Sequence, residues 1–343
     1  MKTRVACIFF GSALALLAQS AGEWTDEKFP SSIRRSTHFG ERADWSHDRK
    51  RILFLEKTYG DGYEIDLASG LIRGMTLHYM HEGYTRVLYL SNGDLLLSGS
   101  KTFSPENFRD ARHKTAELWV LSKDLNKPPV ALGEFCSEGP AVSRKHLRIA
   151  WAITHANYPD RLPEGASQMW MADIDYSGGQ PALKNKKLLL DSRKMGFQAT
   201  LETQNFVPPD EKELTFSAYG YQGTEVMGLN LETGKITNYS NASGQYDEPE
   251  CIFPDGKHTL VECDKHNRKG SQYIDLWKLR LDGTGHYERL TYFSEGGKYK
   301  ASNPVVSDDG RFIAFQVPRV GEIAGVGHGI YILDLQARER RTR

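Results

Sequence analysis

The chain has 343 residues, of which 39% are hydrophobic and 26% charged, an ordinary globular composition able to bury the core of one large or two medium domains. Lys plus Arg and Asp plus Glu both number 44, so the formal charge is zero. That balance excludes a general nucleic-acid or anionic-membrane surface, which needs a basic excess.

At the start, Lys2 and Arg4 precede an apolar run, Val5 to Leu17, and then the small residues Ala18, Ser20 and Ala21. This is the layout of a cleavable secretory signal over residues 1–21. The run is too short to anchor in a bilayer, so no membrane span is expected and the mature chain is read as exported, periplasmic or secreted. Cys136, Cys251 and Cys263 then remain, an odd number in an oxidising compartment. Taking Pro254 to Lys257 as a tight turn sets Cys251 opposite Leu260 and Cys263 opposite Glu248. That offset is poor for a disulfide, and buried free thiols are expected.

Polar turns between short apolar runs recur along the rest of the chain, as "SHDRKRILFLE", "SNGDLLLSG", "SRKHLRIAWAI", "PPDEKELTFSA", "FPDGKHTLVECD" and "SDDGRFIAFQV". Each is followed by a β-rich run, a variable loop and a second run such as "YEIDL" or "YILDL". The turns come about 40 to 60 residues apart, the period of a four-stranded propeller blade. Alternation within the runs, for example Arg311, Ile313 and Phe315 against Phe312, Ala314 and Gln316, is that of strands. The expected fold is therefore all-β, a six-bladed propeller with seven blades as the alternative. The last copy has no fourth strand of its own, so residues 22–42 are expected to supply it and close the ring, with the propeller over 43–336 and residues 337–343 as a solvated basic tail.

"FPDGKHTLVECD…YIDLWKLRLDGTGHYERLT" and "SNPVVSDDGRFIAF…GIYILDL" resemble the repeats of the TolB-type, WD-like β-propeller family, in which such a turn precedes a short strand and a Tyr-x-x-Asp-Leu-type strand follows. The resemblance covers about residues 40 to 336. It implies an exported propeller and leaves the task open, since one fold serves many functions.

In a propeller the short turns between first and second strands share one rim, and the variable loops occupy the other. Length variation on one rim is where a binding surface is built. The loops there supply His113, Arg161, Asp264 and His328, and the stretches "LETQNF" and "GQYDEPE", read as loops between blades, add Glu202, Gln204 and Tyr246 as ligand-binding candidates. A protein, peptide or carbohydrate partner on this rim, bound without catalysis, is the leading reading. A second is a carbohydrate-active enzyme, a lyase on a uronate-containing glycan, with His155, Tyr158, His266 and Arg268 as catalytic candidates. Only in that case is a cofactor implied, a divalent metal on His155, His266 and His328. An envelope scaffold is the third. The acidic run Tyr246 to Glu250 reads as a solvated loop, with a cation site as the alternative.

Overall fold

The computed structural model describes residues 29–323 and 325–342; the signal segment 1–21 lies outside them. The chain lays down successive antiparallel sets of four strands. The first set comprises Glu41–Trp45, Arg51–Leu55, Gly62–Asp66 and Ile72–Gly74; the second, Arg86–Tyr89, Leu95–Ser100, Ala116–Leu121 and Val130–Phe135; the third, Ser137–Val142, Arg148–Thr154, Ser167–Asp175 and Ala182–Asp191. Thr200–Phe206, Glu213–Tyr219, Gly223–Asn230 and Ile236–Asn238 follow as the fourth, and Gln245–Ile252, His258–Cys263, Asp275–Arg280 and Tyr287–Arg289 as the fifth. The sixth is Ser302–Val306, Phe312–Gln316 and Tyr331–Asp334, completed by Ile33–Arg35, which pairs antiparallel with Tyr331–Asp334.

Four of these sets are separate four-stranded sheets, in place of the six or seven expected. The fourth and fifth are merged into one eight-stranded sheet, because Gly223 and Thr224 pair in parallel with Gln245 and Tyr246. The cause is local: Gly223 has φ +115°, and a Cβ there would lie 2.4 Å from the carbonyl oxygen of Gln245, so only glycine lets the two backbones meet.

Each set packs face to face on the next through an apolar cluster. Leu53 and Leu55 of the first meet Val87 and Leu97 of the second; Leu118 and Val120 meet Trp151; Ala152 and Met169 meet Phe216; Val226 meets Val261 and Leu279; Leu276 meets Phe315 and Leu333. Ala314 and Ile332 of the sixth set pack on Trp45 and Phe54 of the first, which closes the ring of contacts. Cys136, Cys251 and Cys263 are free and buried. Cys251 does oppose Leu260, but Cys263 opposes Asp247 instead of Glu248, because a bulge between Pro249 and Cys251 slips the register by one residue.

The turn Phe253 to His258 shows why the short polar turns recur. Gly256 N–H donates to Phe253 O at 3.0 Å, and Asp255 accepts from Lys257 N–H at 2.8 Å. Gly256 has φ +64°, and a Cβ would lie 1.9 Å from the carbonyl oxygen of Pro208, so conformation and close approach both demand glycine. On the same rim Arg144 of the third set makes two 3.0 Å bonds to Asp308 of the sixth and a third to the carbonyl of Trp45. These contacts join non-neighbouring sets across that end of the ring. At the chain terminus, Leu335–Thr342 forms a helix and Arg338 donates to the carbonyl of Arg289 at 2.6 Å, so the expected solvated tail is in part docked. No helix among the described residues is long and apolar enough to cross a membrane.

Candidate functional site

The first strands of the sets line the centre of the ring, and five of the six are bulged there. Their registers shift at Glu41/Asp44, Ser137/Ala141, Thr203/Asn205, Pro249/Cys251 and Ser302/Val305. A bulge re-aims a side chain. Three residues at these shifts, Arg42, Glu138 and Asn303, take left-handed φ of 53°, 64° and 47°, a conformation that non-glycine residues rarely adopt. The result is a polar channel made of two adjoining cavities that share Arg42, Arg86, Glu250 and Asn303. One, about 140 Å³, faces the short-turn rim and is also bordered by Asp44, Arg144 and Asp308. The other, about 200 Å³, opens toward the variable loops and is walled by Glu41, Arg112, Tyr246, Glu248, Glu262 and His328, with the exposed Ile323 and Val326 at its mouth.

Acids and tyrosines are interleaved in the channel. The Tyr219 hydroxyl lies 2.7 Å from Glu202 Oε2 and also against Glu248 Oε1, while Tyr246 donates to Glu248 Oε2. A phenol carries one proton and cannot donate to two carboxylates at once. Tyr219 therefore gives its proton to one of them at a time, and Glu202 and Glu248 compete for it. Burial pushes the Glu202 carboxyl up to about 8, reinforced by the negative charges of Glu138 and Glu248 and opposed by Arg86, 3.9 Å away. Glu262, 5% exposed, is raised by burial and by Glu248 to about 7, and burial and its acidic neighbours raise Glu250 as well. Glu138 goes the other way, to about 2: burial opposes its ionisation, but the paired Arg112 and His113, whose Nδ1 is 3.1 Å away, outweigh it. The channel thus holds several acids that compete for protons, with one ionised acid, Glu138, paired to its wall residue Arg112. That is the arrangement of a site that exchanges protons or accepts a cationic or hydroxyl-rich guest.

No family model matches the chain, and no curated protein matches it either. Solved structures do. A putative TolB from Agrobacterium tumefaciens is 15% identical, with a TM-score of 0.52 over 79% of this chain and 96% of its own. The fold is that of a TolB-like β-propeller. A gluconolactonase from Xanthomonas campestris (9% identity, TM-score 0.55, 88% of this chain and 89% of that) and an oligogalacturonate lyase from Vibrio parahaemolyticus (9%, 0.50, 88% and 93%) share it. At such identities the likeness is one of fold alone.

In this propeller Glu202, Gln204, Tyr246 and His328 border the channel. The first three lie in strands, Thr200–Phe206 and Gln245–Ile252, and not in the loops expected. Gln204 donates to Ser217 Oγ at 3.0 Å, and His328 pairs with Glu322 at 2.6 Å. His113 stands behind the wall, its Nδ1 3.1 Å from Glu138, which pairs with the wall residue Arg112. His155 bonds the carbonyl of Leu162 at 2.7 Å, and the Arg161 guanidinium sits 4.6 Å from the centre of the Tyr158 ring, all within one loop of the third set. In the fifth set Asp264 accepts from the N–H groups of Tyr246 and Gly270 as a loop cap, His266 bonds Ser294 Oγ at 2.7 Å, and Arg268 donates to the carbonyl of Ser243 at 2.9 Å. The histidines His155, His266 and His328 do not converge: among the described residues, the one group of three His, Cys, Asp or Glu whose ligand atoms all lie within 4.8 Å of one another is Glu248, Glu250 and Glu262. Sequence reasoning passed over Arg42, Arg86, Tyr219 and Glu262, and placed Glu250 in a solvated loop. The available signal was a charge inside an apolar strand, as in "TRVLYL" and "LVEC".

Proposed function

We propose that the protein is an exported TolB-like propeller that binds the end of a glycan in its channel, entering from the variable-loop rim, with the eight-stranded sheet serving as two blades of a six-fold frame. One observation carries this reading: the first strands converge on a channel bridged at the short-turn end by Arg144 and Asp308, and bordered at the other end by acids, Arg86, Arg112, Gln272 and the apolar Ile323 and Val326. Sugar hydroxyls both donate to carboxylates and accept from guanidinium and amide groups, and the C–H faces of the ring suit the apolar lip. The expected result is a melting temperature raised by several degrees with one member of a panel of neutral and acidic oligosaccharides, since a ligand bound only to the native state stabilises it. The response should weaken in Gln272→Ala. A panel without any shift or heat of binding refutes the reading.

Glu202 supports a second reading, a lyase. A carboxyl titrating near neutrality, bonded to Tyr219 and 3.9 Å from Arg86, offers a proton acceptor beside a cation that could hold a uronate carboxylate. Incubation with uronate oligosaccharides would then generate the absorbance of an unsaturated product, and Tyr219→Phe would abolish turnover more than binding. Binding of an acidic glycan with no such product leaves the non-catalytic reading in place.

A further inference from the structure

Tyr59, Phe103 and Phe108, in the variable loops of the first two sets, lie outside the apolar clusters that join the sets. The centre of the Tyr59 ring is 5.3 Å from that of Phe103 and 6.3 Å from that of Phe108. Phe103 is 37% exposed, so the group is open to solvent. Two lines of chain tie it to the mouth of the channel. Thr58, which precedes Tyr59, donates from Oγ1 to Glu41 and from its N–H to the carbonyl of Gly325 at 3.1 Å, and Glu41, Gly325 and Val326 all border the variable-loop cavity. Phe108 opens the short helix Phe108–His113, whose Arg112 belongs to the same wall. The rings therefore carry the apolar lip outward as an aromatic shelf.

The backbone of Tyr59 is a second observation. Its φ of 66° is left-handed, a conformation rare for a bulky side chain. The surroundings impose it: Tyr59 N–H donates to the carbonyl of Tyr84 at 2.8 Å, Tyr84 N–H donates to the carbonyl of Gly60 at 3.0 Å, and a Cβ on Gly83 would lie 2.1 Å from the Tyr59 carbonyl oxygen. Strain held in this way gathers at ligand sites. The polar groups it sets beside the rings are unspent. Among the described residues neither the Tyr59 hydroxyl nor the guanidinium of the exposed Arg109 has a hydrogen-bond or ion-pair partner. The acids of the same loop are engaged elsewhere, Glu106 with Ser104 Oγ at 2.5 Å and Asp110 with Lys114 at 3.0 Å. The positive charges of Arg112 and Arg109 both reach the Tyr59 hydroxyl, so cation, donor and ring faces stand together.

We propose that Tyr59, Phe103 and Arg109 form an outer subsite for the second ring of an acidic oligosaccharide whose end lies in the channel. The C–H groups on one face of a sugar ring are polarised positive and lie against the negative face of an aromatic ring. The Tyr59 hydroxyl then meets a ring hydroxyl, and the guanidinium, which has no carboxylate of its own, takes that of the sugar. This rests on the glycan reading of the channel, and it adds to that reading a minimum length of two units and a charge on the outer one.

The test titrates the full mature protein by calorimetry with glucuronate, galacturonate, glucose and galactose and with the dimers and trimers of each. The expected result is an affinity that rises about tenfold from an acidic monomer to its dimer, changes little from dimer to trimer, and rises less in the neutral series. Phe103→Ala should remove that gain and leave the affinity for the monomer unchanged, and Arg109→Gln should remove the preference for the acidic dimer over the neutral one. If Phe103→Ala does not fold, Phe103→Leu, which keeps an apolar side chain without a ring face, reads the same gain. A dimer bound no tighter than its monomer, a gain retained in the Phe103 variant, or an acidic preference that survives Arg109→Gln overturns the subsite and leaves the channel reading standing. No binding of any sugar, monomers included, removes both.

Discussion

At the short-turn end of the channel the charges are matched. Arg144 is shared between Asp308 and the carbonyl of Trp45, Asp44 accepts from Tyr89 N–H at 2.7 Å, and Arg49 meets Asp309 at 2.8 Å. At the variable-loop end Glu248, Glu250 and Glu262 crowd together with no ion pair of their own among the described residues, while Glu41 pairs with Arg42 at 3.4 Å. The same strands build both ends. On the reading proposed above, one end gains stability from its ion pairs and tight turns, and the other gives stability up to hold a site open.

The sharpest way to break that contrast is to damage the matched end. Trp45, 2% exposed, packs between the first and sixth sets and donates from Nε1 to the carbonyl of Val305 at 3.1 Å. Trp45→Ala should cost about 3–5 kcal/mol in denaturant unfolding, while the molecules that remain folded keep the wild-type response to glycan. Loss of that response would show the two ends to be coupled. Gly256→Ala comes next. The added methyl meets the Pro208 carbonyl in a left-handed turn, and a loss of about 2 kcal/mol or more is expected, again without change in ligand affinity. Arg144→Ala removes a half-exposed pair with bidentate geometry and should cost about 1–2 kcal/mol. Its effect should shrink in high salt; a loss as large as that of Trp45→Ala would mean that the ring depends on this cross-link.

How much of this could be read from the sequence follows from the same contrast. The matched end is local in sequence: Asp255, Gly256 and Lys257 make their turn from adjacent residues, so the motif repeats and reveals the fold. Ring closure was legible too, because the last set lacks a fourth strand and Ile33–Arg35 supplies it. The merger of the fourth and fifth sets was not, since it turns on one close approach at Gly223. The site end is non-local. Arg42, Arg86, Glu202, Glu250 and Asn303 come from different sets, and bulges absent from any alternation pattern aim Arg42, Glu250 and Asn303 inward. The acidic run Tyr246 to Glu250 has the composition of a wet loop, yet Gln245–Ile252 is a strand with strictly alternating burial. Only its partner, Glu262 inside an apolar strand, hinted that these acids face a shared interior.

The pH response is the effect most specific to the open end. Glu202 is raised to about 8 and Glu262 to about 7, whereas in the unfolded chain both titrate in the ordinary carboxylate range. Between roughly pH 4.5 and 8 the folded state therefore binds more protons than the unfolded one, and stability must fall as pH rises. This is opposite in sign to the contribution of Glu138, held at about 2, whose stabilisation is lost only as pH drops below the carboxylate range. Melting temperatures measured in EDTA from pH 5 to 8 should decline steadily. Glu202→Gln should flatten the upper part of the decline, because the amide can still donate to Tyr219 but no longer ionises. Arg49→Ala, which removes the exposed pair with Asp309 at the other end, should leave the slope unaltered. If the melting temperature instead holds level or rises over this range, the acids of the channel are already compensated, and the difference between the two ends is one of shape and not of charge.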